Sequence, residues 1–515
     1  MKRIDRFAEI KTLLKKFNKA EREVVLVQSS ALENMSRKGY ENMTKALDQI
    51  FSKSNISRTE FLKGLKMEKF SSLEINAFLL SLKNFVLESL IQDVNIFRPG
   101  SYSNRFRTQI TNSKKLNQSE ILISRGIFDQ AEKLLEDVVS RSLKYELFSQ
   151  TQEAYRQLQF LYTINCSARK FTRLSEQIIE VKQFRDAFED THELYLRGQL
   201  NELQHPHTIP KEELTKTLNE LSGILQKCKV QYTRYIHGIL TIRLLMLTDE
   251  FLKARKAVED LLEVLKNEPA IQSEKRETQL LFDLGIILMQ LRKPDEARVA
   301  FTSAQSLLKK NSHERFMVMK YLTMIDFYQN NMESLAVSLP RILKSNFILG
   351  LSYAEMQFDY FLAMYMFQTG DYLGAVALMR SHVEQGQGLQ VDMRIGQNLL
   401  LFMAGVEIRY SEPEVAEEAL KLAIENLNEL YVNMEARKRD RLIIRLVRRI
   451  VGSVYEFERT YNLVKDRFQR LNLTDPDFRW EPFTYEIIPF DQWFNWKLSG
   501  RKSTVKIPPA LKPAQ

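Results

Sequence analysis

Five alanines set the frame for this chain. Ala257, Ala297, Ala336, Ala375 and Ala416 recur at spacings of 40, 39, 39 and 41 residues, inside a tract with few helix breakers from about 113 to 470. A period in this range marks a repeat architecture, in which one supersecondary unit cannot bury its apolar face alone and stacks on its neighbours. Composition agrees: 515 residues hold only 17 Gly and 13 Pro, which argues against a loop-rich, mostly β chain. No strong period-two run competes in the tract, so the predicted fold class is all-α.

Within the tract, three segments share one arrangement. A small residue on a first helix lets a second helix approach, and a large apolar residue four positions beyond the second small residue fills the gap. LLFDLGIILMQLRKPDEARVAFTSAQSLL supplies Leu281, Leu284, Gly285 and Leu288, then Ala297, Phe301 and Ala304. FDYFLAMYMFQTGDYLGAVALMRSH supplies Ala363, Ala375 and Met379, with His382 in the last small position. LLFMAGVEIRYSEPEVAEEALKLAIENL supplies Ala404, Ala416, Leu420 and Ala423. Ala131 with Leu135 and Val138 opens an earlier hairpin, and Ala187 another.

On these residues, the region of about 115 to 430 resembles tetratricopeptide repeats, whose first-helix small residue faces the alanine of the second helix. It departs from the family in three ways. Leu288, Met366 and Glu407 stand where an aromatic is usual. The proline at the repeat end is missing. The period exceeds the family's, which is about 34. The resemblance implies a helical-hairpin solenoid that binds a protein or peptide on its concave face. Residues on the likely first helices are Tyr321, Tyr328, Tyr353, Gln357, Tyr360 and Tyr365.

The flanks differ from the array. Residues 1–95 read as a small helical domain, with capping-box pairs at Asn18/Glu21, Ser57/Glu60 and Ser71/Glu74. The helix LEINAFLLSLKNFVLESLI is apolar on most faces. That predicts burial or homo-oligomer formation through residues 73–91. This block is similar to uncharacterised soluble repeat proteins of Bacteroidota, which carry no assigned activity. Residues 96–114 read as a linker, 115–470 as the array, 471–500 as an aromatic C-terminal cap and 501–515 as a basic, Pro-rich tail. The cap holds Trp480, Trp493 and Trp496 beside Phe483, Tyr485, Phe490 and Phe494. Two roles fit it: a lid over the apolar end of the array, or an aromatic docking patch. Pro269, Pro294, Pro340 and Pro413 mark helix boundaries or first turns, and HPHTIP at 205–210 a turn.

Charge selects one more candidate. The net charge is +10, and much of the excess sits on one predicted helix. Arg437, Arg441, Arg445 and Arg448 follow steps of four, four and three and share a face. Leu442, Ile443, Leu446, Val447 and Ile450 form the packing side. A stripe of planar donor forks suits an acidic partner or a nucleic-acid backbone. Internal pairing with Glu412, Glu414, Glu417, Glu418, Glu425 and Glu429 is the competing use.

Catalytic equipment is scarce. Six His and two Cys are scattered, and there is no Gly-rich phosphate loop, HExxH pair or nucleophile elbow. No enzyme, metal or cofactor is expected. No run of eighteen apolar residues and no secretory leader appears, so the expectation is a cytoplasmic chain without membrane insertion. The predicted function is a non-enzymatic protein-interaction scaffold or adaptor, including a regulatory one. The alternatives are a nucleic-acid-associated regulator using 437–449 and a peptide-responsive repeat regulator.

Overall fold

The computed structural model describes residues 6–15, 22, 25–26, 43–52, 56–91, 103–204, 211–308, 312–343, 352–385, 391–433, 437–471 and 477–500. All regular structure among them is helical. The first four helices are α1 (Arg6–Lys15), α2 (Met43–Ser52), α3 (Arg58–Gly64) and α4 (Ser72–Ile91). Next come α5 (Asn104–Ser124), α6 (Phe128–Lys144), α7 (Phe148–Ile164) and α8 (Ala168–Gln204). The middle holds α9 (Lys211–Lys227), α10 (Gln231–Leu247), α11 (Phe251–Asn267), α12 (Glu274–Gln290), α13 (Pro294–Leu307), α14 (His313–Tyr328) and α15 (Met332–Leu343). The remainder is α16 (Ser352–Thr369), α17 (Tyr372–Gln385), α18 (Val391–Ile408), α19 (Pro413–Asn433), α20 (Lys438–Gly452), α21 (Phe457–Leu471) and α22 (Phe490–Ser499). No described helix is long and apolar enough to cross a membrane.

One turn recurs between these helices. The first helix ends on a left-handed residue, and the next N–H reaches back five residues to a carbonyl, a Schellman closure. Leu147 N–H bonds Ser142 O at 2.8 Å, Ser167 N–H bonds Tyr162 O at 2.8 Å, and Lys293 N–H bonds Leu288 O at 2.9 Å. Glycine takes the left-handed position at Gly126 and Gly370. Elsewhere Glu146, Cys166, Asp249, Arg292 and Asn330 take it, with φ of 52°, 51°, 59°, 62° and 54°. The following helix starts at once, so neighbours in sequence become neighbours in space.

By its contacts the chain divides into two compact units: 1–190 with 228–232 and 268–272, and 191–227 with 233–267 and 273–515. In the first unit an apolar cluster gathers Phe7, Ile10, Leu47, Phe61, Leu79, Leu82 and Val86. The capping boxes at Ser57/Glu60 and Ser71/Glu74 form, each with both reciprocal bonds. The Asn18/Glu21 pair lies outside the described residues. Helix α4 buries Ile75, Leu79, Leu82, Phe85 and Val86 and leaves Leu73 and Leu80 exposed. Residues 104–114, expected to be linker, are instead the first turns of α5, capped by Ser103. Helices α5, α6 and α7 pack in sequence, and α5 also touches α7.

In the second unit successive helices from α11 to α20 pack on one another, and α16 also touches α18. Small residues set the approach. A Cβ on Gly285 would lie 2.6 Å from the Phe301 ring, and one on Gly405 would lie 3.1 Å from Leu420. Ala297, Ala375 and Ala416 are buried as expected. The other two landmarks are corrected. Ala336 is exposed and its neighbour Leu335 is buried; Ala257 is half-buried, while Ala254, one turn earlier, is fully buried. Gly238 supplies the small residue for that hairpin, facing Leu261. Pro294 and Pro413 open helices, whereas Pro340 lies inside α15.

The Gly285–Phe301 contact predicts the sign of a substitution. Alanine gains about 1 kcal/mol of helix propensity over glycine. Overpacking a closed core costs about 1–3 kcal/mol, and the Phe301 ring is pinned by Phe282, Tyr321 and Phe483. Gly285→Ala should therefore lower stability in urea unfolding. A gain would mean that the ring yields.

Candidate functional site

The sequence pointed to a tyrosine face on α14 and α16 as the recognition surface. That face is covered. Residues 478–489, before α22, lie against Tyr328, Gln357 and Tyr360. Phe483 N–H donates to the Tyr328 hydroxyl at 2.9 Å. The Tyr360 hydroxyl donates to the Tyr485 carbonyl, and Gln357 Nε2 donates to the Tyr485 hydroxyl. Burial pushes the Tyr328 and Tyr360 hydroxyls well above their ordinary range, so both stay protonated. Gly396 on α18 makes the fit possible: a Cβ there would lie 2.4 Å from Tyr485 Cβ. Tyr321 is half-buried, edge-on to Phe483 at 4.5 Å between centroids. Tyr365 is half-buried, and the Tyr353 side chain lies outside the described residues.

The tryptophans are interior as well, which corrects their reading as docking anchors. Trp480 donates Nε1–H to the Glu486 carbonyl at 2.7 Å, and the Arg292 guanidinium sits 5.1 Å from its ring centroid. Burial lowers the Arg292 pKa to about 10. Trp493 is fully buried and donates to Glu407 at 3.1 Å. Trp496 is buried beside them. Buried indoles offer no docking surface.

One arginine that the stripe omits organises this region. Arg439, on the inward side of α20, is buried and uses all its donors. Nε and Nη2 grip the two Glu486 oxygens at 2.6 Å each, and Nη2 also reaches Asp491 at 2.9 Å. Nη1 donates to the carbonyls of Leu471 at 3.1 Å and Phe478 at 2.7 Å. Burial opposes the charge, but the two carboxylates outweigh it and the guanidinium stays protonated. Burial raises the Asp491 pKa. A second buried cation, Lys320, lies 5.3 Å from the Tyr485 ring centroid and 3.5 Å from its hydroxyl. Burial lowers its pKa to about 8.

The arginine stripe divides. Arg437 turns inward, binding Asp440 at 2.8 and 2.9 Å and approaching Glu481 at 3.6 Å. Arg441, Arg445 and Arg448 are exposed. Two of the upstream glutamates are engaged elsewhere: Glu418 pairs with Arg380 at 2.5 Å and Glu429 with Arg394 at 3.8 Å. Two neutral side chains of α19 hold the outer arginines instead. Arg445 Nε donates to the Tyr431 hydroxyl at 2.8 Å, and Arg448 Nε donates to Asn428 Oδ1 at 2.5 Å. Both guanidiniums lie by the Tyr431 ring, 5.5 and 4.4 Å from its centroid. Sequence reasoning missed Tyr431. The signal was an aromatic near the end of the helix preceding the stripe.

Among the described residues, no group of three His, Cys, Asp or Glu could hold a metal ion. No model of a known protein family matches the chain, and no curated protein matches it.

Two predictions test the buried charges. Arg439→Leu strands two buried carboxylates and should cost about 3–5 kcal/mol. Adding Glu486→Gln and Asp491→Asn should recover most of that loss in the same urea titration; an unrecovered loss would show that packing dominates. Lys320 carries a depressed pKa in the fold, so between about 8 and its unfolded value near 10.4 the unfolded chain binds more protons. Stability from this group therefore rises with pH across that window. Lys320→Met should be more stable than the parent at pH 7 by roughly 1–3 kcal/mol, and the gap should close by pH 10. A pH-independent gap would remove the titration as its cause.

Proposed function

We propose that the protein is a non-enzymatic protein-interaction scaffold or adaptor, built from tetratricopeptide-like hairpins and acting in the cytoplasm. The repeat reading is supported by helix pairs closed on a small residue against a large one, Gly285 on Phe301 and Gly405 on Leu420. The binding reading rests on one observation. Tyr328, Gln357, Tyr360 and the three tryptophans are spent on the fold, while Arg445 and Arg448 stand exposed around Tyr431 without a carboxylate partner among the described residues. Two ordered guanidiniums on a helix pair recognise a partner through charge and planar donor geometry. They carry out no bond chemistry.

This placement moves the proposed contact from the tyrosine face to the outer face of α19 and α20. It also weakens the peptide-responsive reading, because the face that would read a free peptide holds residues 478–489. A nucleic-acid role would use the same arginines and is separated by salt and nuclease sensitivity.

The test is affinity purification of the tagged full-length chain at moderate salt, with and without nuclease. The expected outcome is one protein recovered in near-stoichiometric amount and unaffected by nuclease. Recovery of no protein, or loss of everything on nuclease treatment, would overturn the scaffold reading.

A further inference from the structure

Resting on the scaffold reading, we infer that the outer face of α19 and α20 docks an acidic peptide segment of a protein partner. Arg445 and Arg448 each grip a carboxylate, and Tyr431 and Val432 support an apolar side chain between or beside them.

Three features of the site lead to this partner. First, the described hydrogen bonds of both guanidiniums use Nε alone. Each is held in place by a neutral acceptor, while its terminal N–H groups are left for a carboxylate fork. Orienting the two forks in advance removes part of the ordering cost that makes ordinary surface ion pairs weak. Second, among the described residues no carboxylate forms an ion pair with Arg445 or Arg448. The nearby glutamates Glu418 and Glu429 are engaged with Arg380 and Arg394, and Arg437 is taken by Asp440. Third, apolar surface adjoins the arginines. Val432 is 76% exposed, and the Tyr431 ring lies beside both cations. An aromatic flanked by arginines is the composition of an interface anchor.

The same surroundings disfavour a nucleic-acid backbone. Duplex DNA presents a charge about every 1.7 Å and is bound through a run of phosphate contacts. Glu425 is exposed on α19, three residues before Asn428 and seven before Val432, on the same helix face. A continuous polyanion laid across Arg445 and Arg448 would meet that carboxylate. A peptide with two acidic side chains and an apolar one between them would not need to.

The experiment titrates the full-length chain against three fluorescent probes: a short Glu-rich peptide with one central Leu, the same peptide with Gln for Glu, and oligothymidylate. The Glu-rich probe should bind best. Arg445→Gln with Arg448→Gln should weaken it about tenfold or more, and Tyr431→Ala should weaken it by a smaller factor. Unchanged unfolding midpoints of these exposed-site variants separate binding from folding. Equal binding of the Glu and Gln probes, no loss in the double variant, or tighter binding of oligothymidylate would overturn the inference. Those results leave the scaffold reading standing, which falls only if the full-length chain recovers no protein partner.

Discussion

A guanidinium shut away from water needs an acceptor for each of its five N–H groups, and Arg439 finds them on three different stretches of chain. Glu486 and Asp491 supply the charge, and the Leu471 and Phe478 carbonyls supply the rest. The end of α21, the irregular segment 478–489 and the start of α22 are thereby fixed to α20 at one point. Everything that segment does depends on this fixation. Trp480 meets Arg292, Phe483 meets Tyr321 and Tyr328, and Tyr485 meets Gln357, Tyr360 and the bare backbone of Gly396. A buried ion group adds little net stability compared with a well-packed apolar one. In the observed placement of the segment every donor of the guanidinium has an acceptor.

The same helix separates two uses of arginine. On its inner side Arg437 and Arg439 neutralise buried carboxylates. On its outer side Arg441, Arg445 and Arg448 face water, two of them ordered by Tyr431 and Asn428. The difference comes from helical phase, since a 3.6-residue period puts positions 439, 443 and 446 on the packing side and 441, 445 and 448 opposite. A run of arginines in sequence is therefore two populations, one turned to the core and one to the surface.

Much of the architecture was legible in the sequence. Scarce Gly and Pro, alanine landmarks and capping boxes gave an all-α chain with hairpins near residues 281–304, 363–379 and 404–423. Register was harder. Ala336 and Ala257 sat in the right helices but on the wrong turn positions, because alanine is as good a surface helix former as a core spacer. The hairpin turns hid their glycine requirement behind Glu146, Cys166, Asp249, Arg292 and Asn330. The site was legible in part. The arginine stripe was visible from spacing alone, with Arg437 assigned to the wrong side. The burial of Tyr328 and Tyr360 was not, because it depends on contacts between stretches 125 and 155 residues apart. No local pattern encodes a segment that returns across such a distance.

That return changes how the second unit holds together. In a stack of repeats each hairpin answers mainly to its neighbours, and stability builds up almost additively along the chain. Residues 478–490 break that independence. They touch Arg292 in the α12–α13 turn, Phe301 of α13 and the helices α14, α16, α18 and α20, so these parts share one closing element and should be lost in one cooperative step. They are also synthesised after every helix they cover. A nascent chain therefore presents Tyr328, Gln357 and Tyr360 uncovered until the segment has been made, and closure of this core waits on that segment.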